Sequence, residues 1–263
     1  MQSSAIGLIL LLSWAGCGAS SGLTGSPEIA SDPPTQVLFV GNSLTFYNDM
    51  PEILLGFLNT VPDIDYRVES VAFPAAGLQD HWTDGEALDR IAEGGWDVVI
   101  LQQGPSATEG RPSLLEYSQL FSEKIRAVGA TPALYMVWPS TQRSFDAEGV
   151  SDSYATAAKL VSGGLLPAGD AFRVAQGLDS NIELYGGDGF HPSVEGSFLA
   201  ALVTYVQMTG KTADGLPTLV QTSSGSKEVS DSDAIILHQA ALEASLQADV
   251  KCVLWSNLGC AAP

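Results

Sequence analysis

The chain has 263 residues, 45% of them hydrophobic, enough to bury the core of an α/β domain and incompatible with a disordered chain. Its 30 acidic and 11 basic side chains leave a net charge of −19. That balance argues against nucleic acid and anionic membrane surfaces as partners, and otherwise reads as a solvated acidic exterior.

Residues Ala5 to Gly16 form one apolar run, too short to span a bilayer and of signal-peptide length. Residues 1–17 therefore read as a signal peptide, and the protein is expected to be exported: secreted, periplasmic or held at a bacterial cell surface. Ala15-Gly16 before Cys17 resembles a lipoprotein cleavage box, so a lipidated Cys17 is the expected route, if any, to a membrane. No Lys or Arg precedes the run, and Trp14 stands where leucine is usual. With Cys17 processed, Cys252 and Cys260 remain as a pair that could close a small disulfide loop in an oxidising compartment. Residues 18–35, rich in Ser, Gly, Pro and Thr, read as a flexible linker.

Strand and helix patterns alternate from there. Gln36 to Val40 is continuously apolar, as in a parallel strand covered on both faces. A helix is predicted over Pro51 to Leu58, with the proline in its first turn. Ile64 to Ala72 alternates and reads as a second strand nearer an edge. Further strands are predicted at Trp96 to Leu101, Pro132 to Val137 and near Leu165-Leu166. Helices are predicted at Ser113 to Ala127, Ser153 to Val161 and Ser193 to Met208. Residues Thr222 to Asp233 read as a polar loop, and Ala234 to Ala248 as a last helix. The divisions expected are a main domain over 36–211 and a C-terminal part over 212–263. This alternation predicts an α/β fold: a three-layer α/β/α sandwich around a mainly parallel five-stranded sheet. In such sheets the active site lies at the carboxyl ends of the strands. Gly41-Asn42-Ser43 and Gln102-Gln103-Gly104 both arrive at that rim.

Ser43 follows a buried strand, and Asp188-Gly189-Phe190-His191 offers a carboxylate and an imidazole three residues apart. A serine hydroxyl needs a base to take its proton, and that base works best when a carboxylate orients it. The chain has three histidines, His81, His191 and His238, so the base has few candidates. His81 beside Trp82 reads as packing or substrate contact, His238 as structural. Asp170 after Gly169 is a candidate rim residue. No metal-ligand spacing and no complete phosphate-binding glycine pattern appears.

The run Gly41-Asn42-Ser43-Leu44, continuing through Asn48-Asp49-Met50-Pro51, resembles the first block of the SGNH, or GDSL-like, hydrolase superfamily. Asp188-Gly189-Phe190-His191-Pro192-Ser193 is similar to its last block. The resemblance covers roughly Gln36 to Lys211 and implies a flavodoxin-like fold. It also implies an ester hydrolase with Ser43 as nucleophile, His191 as base and Asp188 as its orienting carboxylate, without a cofactor. The oxyanion would be held by the Ser43 amide, a glycine after the second strand matched by Gly77, and an amide side chain after the third. Glutamine stands where the family has asparagine there, leaving Gln103 or Gln102. Asn42, His81 and Trp82 are the candidate substrate contacts. By analogy the substrate is a carbohydrate or small acetyl ester. A lipase or thioesterase of the same fold, or a non-catalytic surface lipoprotein, are the alternatives.

Overall fold

The structure is a computed structural model that describes residues 33–248. The signal segment, most of the tether, Cys17, Cys252 and Cys260 lie outside those residues. A five-stranded sheet is built from β1 (Thr35–Gly41), β2 (Tyr66–Ala72), β3 (Val98–Leu101), β4 (Thr131–Tyr135) and β5 (Gly164–Leu166). Every pairing is parallel and the order is β2-β1-β3-β4-β5. The expected α/β sandwich is thus the architecture found. The strand order reverses between β1 and β3, where both flanking crossovers leave room for a site at the carboxyl rim.

The sequence explains the layers. Val37 to Val40 on β1 are wholly buried, because helices cover both sheet faces. Edge strand β2 instead mixes exposed and part-buried positions, with Val71 alone buried. On one side pack α2 (Met50–Leu58), α7 (Ala168–Leu178), α8 (Val194–Thr209) and α9 (Asp231–Gln247); on the other α3 (Leu78–Asp84), α4 (Glu86–Ala92), α5 (Arg111–Ala127) and α6 (Ala147–Leu160). Helix α5 buries Leu114, Ser118, Phe121 and Ile125 at i, i+4, i+7 spacing and carries Lys124 and Arg126 in its last turn. Helix α8 is capped by Ser193, whose Oγ accepts from Gly196 N–H at 3.0 Å, and ends on Gly210 in the left-handed region.

Three expectations need correction. Residues 222–233 are not one loop: β6 (Leu219–Thr222) and β7 (Gly225–Glu228) form an antiparallel hairpin whose Val220 tucks against Gly56 of α2. Their sequence is polar because only one hairpin side chain enters the core. Asp170 lies in the first turn of α7, just after β5, but it does not line the cleft: it accepts from Ser151 Oγ at 2.8 Å and is paired with Arg173. Helices α3 and α4, two turns each, were also not expected; Gly85 between them, at φ 94°, breaks what would be one amphipathic pattern.

Candidate active site

Strand β1 ends at Gly41, where a Cβ would lie 2.4 Å from both Gln102 Oε1 and Thr45 Oγ1, so only glycine fits. Asn42 then N-caps the short helix α1 (Ser43–Phe46), its Oδ1 accepting from Leu44 N–H at 3.0 Å. Its Nδ2 donates to Ala76 O at 2.8 Å, tying this turn to the loop after β2. Gln102 completes the lock. Its Oε1 accepts from Asn42 N–H and Thr45 Oγ1, both at 2.8 Å; its Nε2 donates to Asn42 Oδ1 and Gln103 O at 3.0 and 2.7 Å. Ser43 is thereby placed at the rim in the first position of α1, where its N–H has no intrahelical acceptor.

From the other end of the chain, Asp188 folds its own turn. Oδ1 accepts from Phe190 N–H at 2.9 Å and His191 N–H at 3.0 Å, around Gly189 at φ 68°. The turn brings Asp188 Oδ2 to 2.5 Å from His191 Nδ1, and His191 Nε2 lies 3.0 Å from Ser43 Oγ. The hydrogen bond from the imidazole, then those from the backbone, hold the Asp188 carboxyl down to about 2. An ionised carboxylate only accepts, so Nδ1 carries the proton and Nε2 is left to accept from the serine hydroxyl. Sequence positions 148 residues apart thus form one line of proton acceptors. The Tyr47 ring stacks on His191 at 4.5 Å and 20° between planes, and Phe190 meets it edge-on at 5.3 Å.

A cleft of about 710 Å³ opens over this line, walled by Phe46, Tyr47, Ala75, Asp80, Gln103 and Phe190 among others. Among the described residues, no lysine or arginine is on its wall. A second cavity of about 340 Å³ shares Pro105, Gly110 and Phe190 with it and is edged by Glu109, Arg143 and Asp146.

The expected amide donors divide. Gln102 has no exposed surface and both its N–H groups are spent, so it cannot face an oxyanion. Gln103 lies in the wall, but Nε2 donates to Ser106 Oγ at 2.7 Å and Gly110 O at 3.0 Å. Gly77 also lines the cleft, with its N–H donated to Asp80 Oδ2 at 2.8 Å. Of these donors, the Ser43 N–H is the open one. Among the expected substrate contacts, Asn42 borders the cleft with its amide consumed as described. His81 is wholly buried, its Nε2 on Gly41 O at 2.7 Å and its ring stacked on Phe73. Burial pushes that imidazole below its usual value, and the ring braces β1 instead of touching substrate. Trp82 packs edge-on against Tyr117 and Phe121, outside the cleft wall. Asp80, Tyr47 and Asn48 were not singled out by sequence reasoning for what they do here; only the fold brings them to the cleft or the imidazole.

Neither family models nor curated proteins match the chain by sequence. Solved structures do match. A protein from Slackia heliotrinireducens, presumed to be an SGNH hydrolase, is 29% identical over 66% of this chain and 98% of its own, with a TM-score of 0.58. A DUF4886 family protein from Bacteroides uniformis has a TM-score of 0.66 at 17% identity, over 82% of this chain and 96% of its own. A lipase/acylhydrolase from Enterococcus faecalis has a TM-score of 0.52 at 12% identity, over 67% and 96%. At those lower identities the likeness is one of fold.

Proposed function

The chain belongs to the SGNH/GDSL-like hydrolase superfamily, and from that premise we propose that it is an exported serine ester hydrolase acting through an acyl-enzyme. The observation that carries this reading is the Asp188–His191–Ser43 line, at 2.5 and 3.0 Å. In it His191 Nε2 takes the Ser43 proton as Oγ attacks the ester carbonyl. The imidazolium, steadied by Asp188, returns the proton to the departing alcohol, and a water then repeats the sequence on the acyl-enzyme. Ser43 N–H faces the developing oxyanion. Gly77 N–H and the Gln103 amide line the same cleft but would have to give up Asp80, Ser106 or Gly110 to join it; one such donor contributes about 3 kcal/mol to the transition state.

The substrate we propose is a carbohydrate or small ester, deacetylated. Among the described residues the cleft wall carries no lysine or arginine to attract an anionic substrate, and Arg143 at the adjoining cavity is already paired with Asp146 and Glu109. Phe46, Tyr47 and Phe190 offer aromatic faces, and the adjoining cavity gives room for a polar leaving group beyond Phe190. Export rests on the apolar run before Cys17, and mass spectrometry of the mature N-terminus tests it: an intact Met1 overturns export, an acylated Cys17 establishes the anchor.

Activity is tested with p-nitrophenyl acetate on the wild type and Ser43→Ala. The variant is expected to lose activity by a factor on the order of 10³ or more; equal rates overturn the proposal. Faster turnover of long acyl chains than of acetyl would move the reading to a lipase.

A further inference from the structure

Between α1 and α2 lies a tight turn, Tyr47–Asp49, in which two consecutive non-glycine residues are left-handed: Asn48 at φ 52° and Asp49 at φ 57°. Asn and Asp tolerate this region better than other side chains, but it persists only where the surroundings over-determine it. What determines it lies far along the chain. Asn48 Nδ2 donates toward Pro192 O at 3.0 Å, Ser193 O at 2.9 Å and Ser197 Oγ at 3.0 Å. These acceptors are the two residues directly after His191 and the first turn of α8. Ser197 Oγ in turn lies 3.3 Å from Tyr47 O, and the Tyr47 ring is stacked on the imidazole. On its other side the turn is held by the β6–β7 hairpin: Asp49 Oδ2 accepts from Thr222 Oγ1 at 2.7 Å and from Ser224 Oγ, and faces Lys227 Nζ at 3.3 Å. Glu52 adds acceptors for Ser223 N–H and Oγ at 2.6 and 2.5 Å.

We propose that Asn48 is a positioning residue for His191, fixing the backbone behind the imidazole while Tyr47 fixes its plane, and that the C-terminal hairpin holds this clamp through Asp49. The proposal rests on the reading of His191 as the base. Asn48 touches neither substrate nor the reacting atoms. It acts by restricting the imidazole to the orientation in which Nε2 meets Ser43 Oγ, an alignment to which proton transfer is steeply sensitive.

Asn48→Gly isolates the effect, because glycine accepts the left-handed backbone and deletes only the amide. Its kcat on p-nitrophenyl acetate should fall about tenfold or more, with KM held within about twofold. Lys227→Met, remote from the cleft, should move kcat the same way by a smaller factor. The independent readout is nitrogen NMR of the imidazoles, tractable with three histidines. In wild type His191 should show one tautomer with the proton on Nδ1; in Asn48→Gly that signal should broaden or average, while those of His81 and His238 stay in place. Unchanged kcat with unchanged His191 signals overturns the clamp. So does a variant in which all three imidazoles shift together, which would mean general loosening of the fold. If the wild type hydrolyses no ester, the functional reading fails on its own, and the NMR comparison still decides whether Asn48 orients the ring.

Discussion

Asp188 and His81 are two titrating groups whose environments act on them for opposite reasons. The exposed Asp188 carboxyl stays ionised to about pH 2 because the imidazole and two backbone N–H groups donate to it. Its titration therefore does not set the acid limit of activity in the range where esterases are assayed. Asp188→Asn should lower kcat by about 10² to 10⁴, since the amide favours the wrong imidazole tautomer; its side chain is 52% exposed, which favours the smaller loss. For His81, burial lowers the folded pKa below the unfolded value of about 6.5. Below that value the unfolded chain binds the proton and the native chain does not, so stability falls as pH falls. The half-buried His238 imidazole is lowered too and adds in the same direction. Melting temperature should therefore drop between pH 6.5 and 5, less steeply in His81→Gln. A parallel decline in the variant would assign the effect elsewhere. At this scale the sequence was partly legible. Ser43, Asp188 and His191 were readable because each sits in a short local pattern. Gln102 and Gln103 were not separable, because only the packed partners of their amides show which one is sealed in. Tyr47 and Asn48 act on a ring that lies over 140 residues away in sequence, a relation no local pattern records.

Among the elements, the parallel strands were legible because their apolar runs are bounded by turns, and α5 and α8 because their buried positions repeat with the helix period. Helix α7 was missed because Gly169 and Gly177 interrupt its pattern, although Gly169 is there for close approach: a Cβ would lie 2.3 Å from Val137 O. The end of β1 makes a sharper demand. Gly41→Ala would thrust a methyl into Gln102 and Thr45, the side chains that hold the turn bearing Ser43. Ester hydrolysis should fall more than thermal stability in that variant, with a destabilisation of about 1–3 kcal/mol in chemical denaturation. A variant of wild-type activity would mean that the Ser43 turn tolerates displacement. The hairpin was illegible for a different reason: apart from Val220, its contacts are made by polar groups and Lys227 on the acidic end of α2, not by a repeating apolar face.

For the whole molecule, the charge of −19 and a cleft without lysine or arginine among the described residues act together on what can approach. A neutral acetyl ester should be hydrolysed at a rate nearly independent of ionic strength. A carboxylate-bearing ester of the same alcohol should react more slowly at low salt, the gap narrowing as the Debye length falls to about 8 Å near 0.15 M. Equal salt dependence for the two would place the acidic surface too far from the cleft to matter. Composition alone gave the sign of this field; the absence of lysine and arginine from the wall, among the described residues, is a property of the fold.

The stack of Tyr47 on His191 does more than set a plane. In the proposed mechanism the imidazole gains a positive charge when it takes the Ser43 proton, and the Tyr47 ring then faces that charge at 4.5 Å. The attraction between a positive charge and an aromatic face, about 0.5–1 kcal/mol at a solvent-accessible position, then exists only after the charge has formed. Under that mechanism Tyr47 would favour the proton-transferred state over the resting one. Tyr47→Phe should preserve this and Tyr47→Leu should not, at a cost of roughly two- to fivefold in kcat.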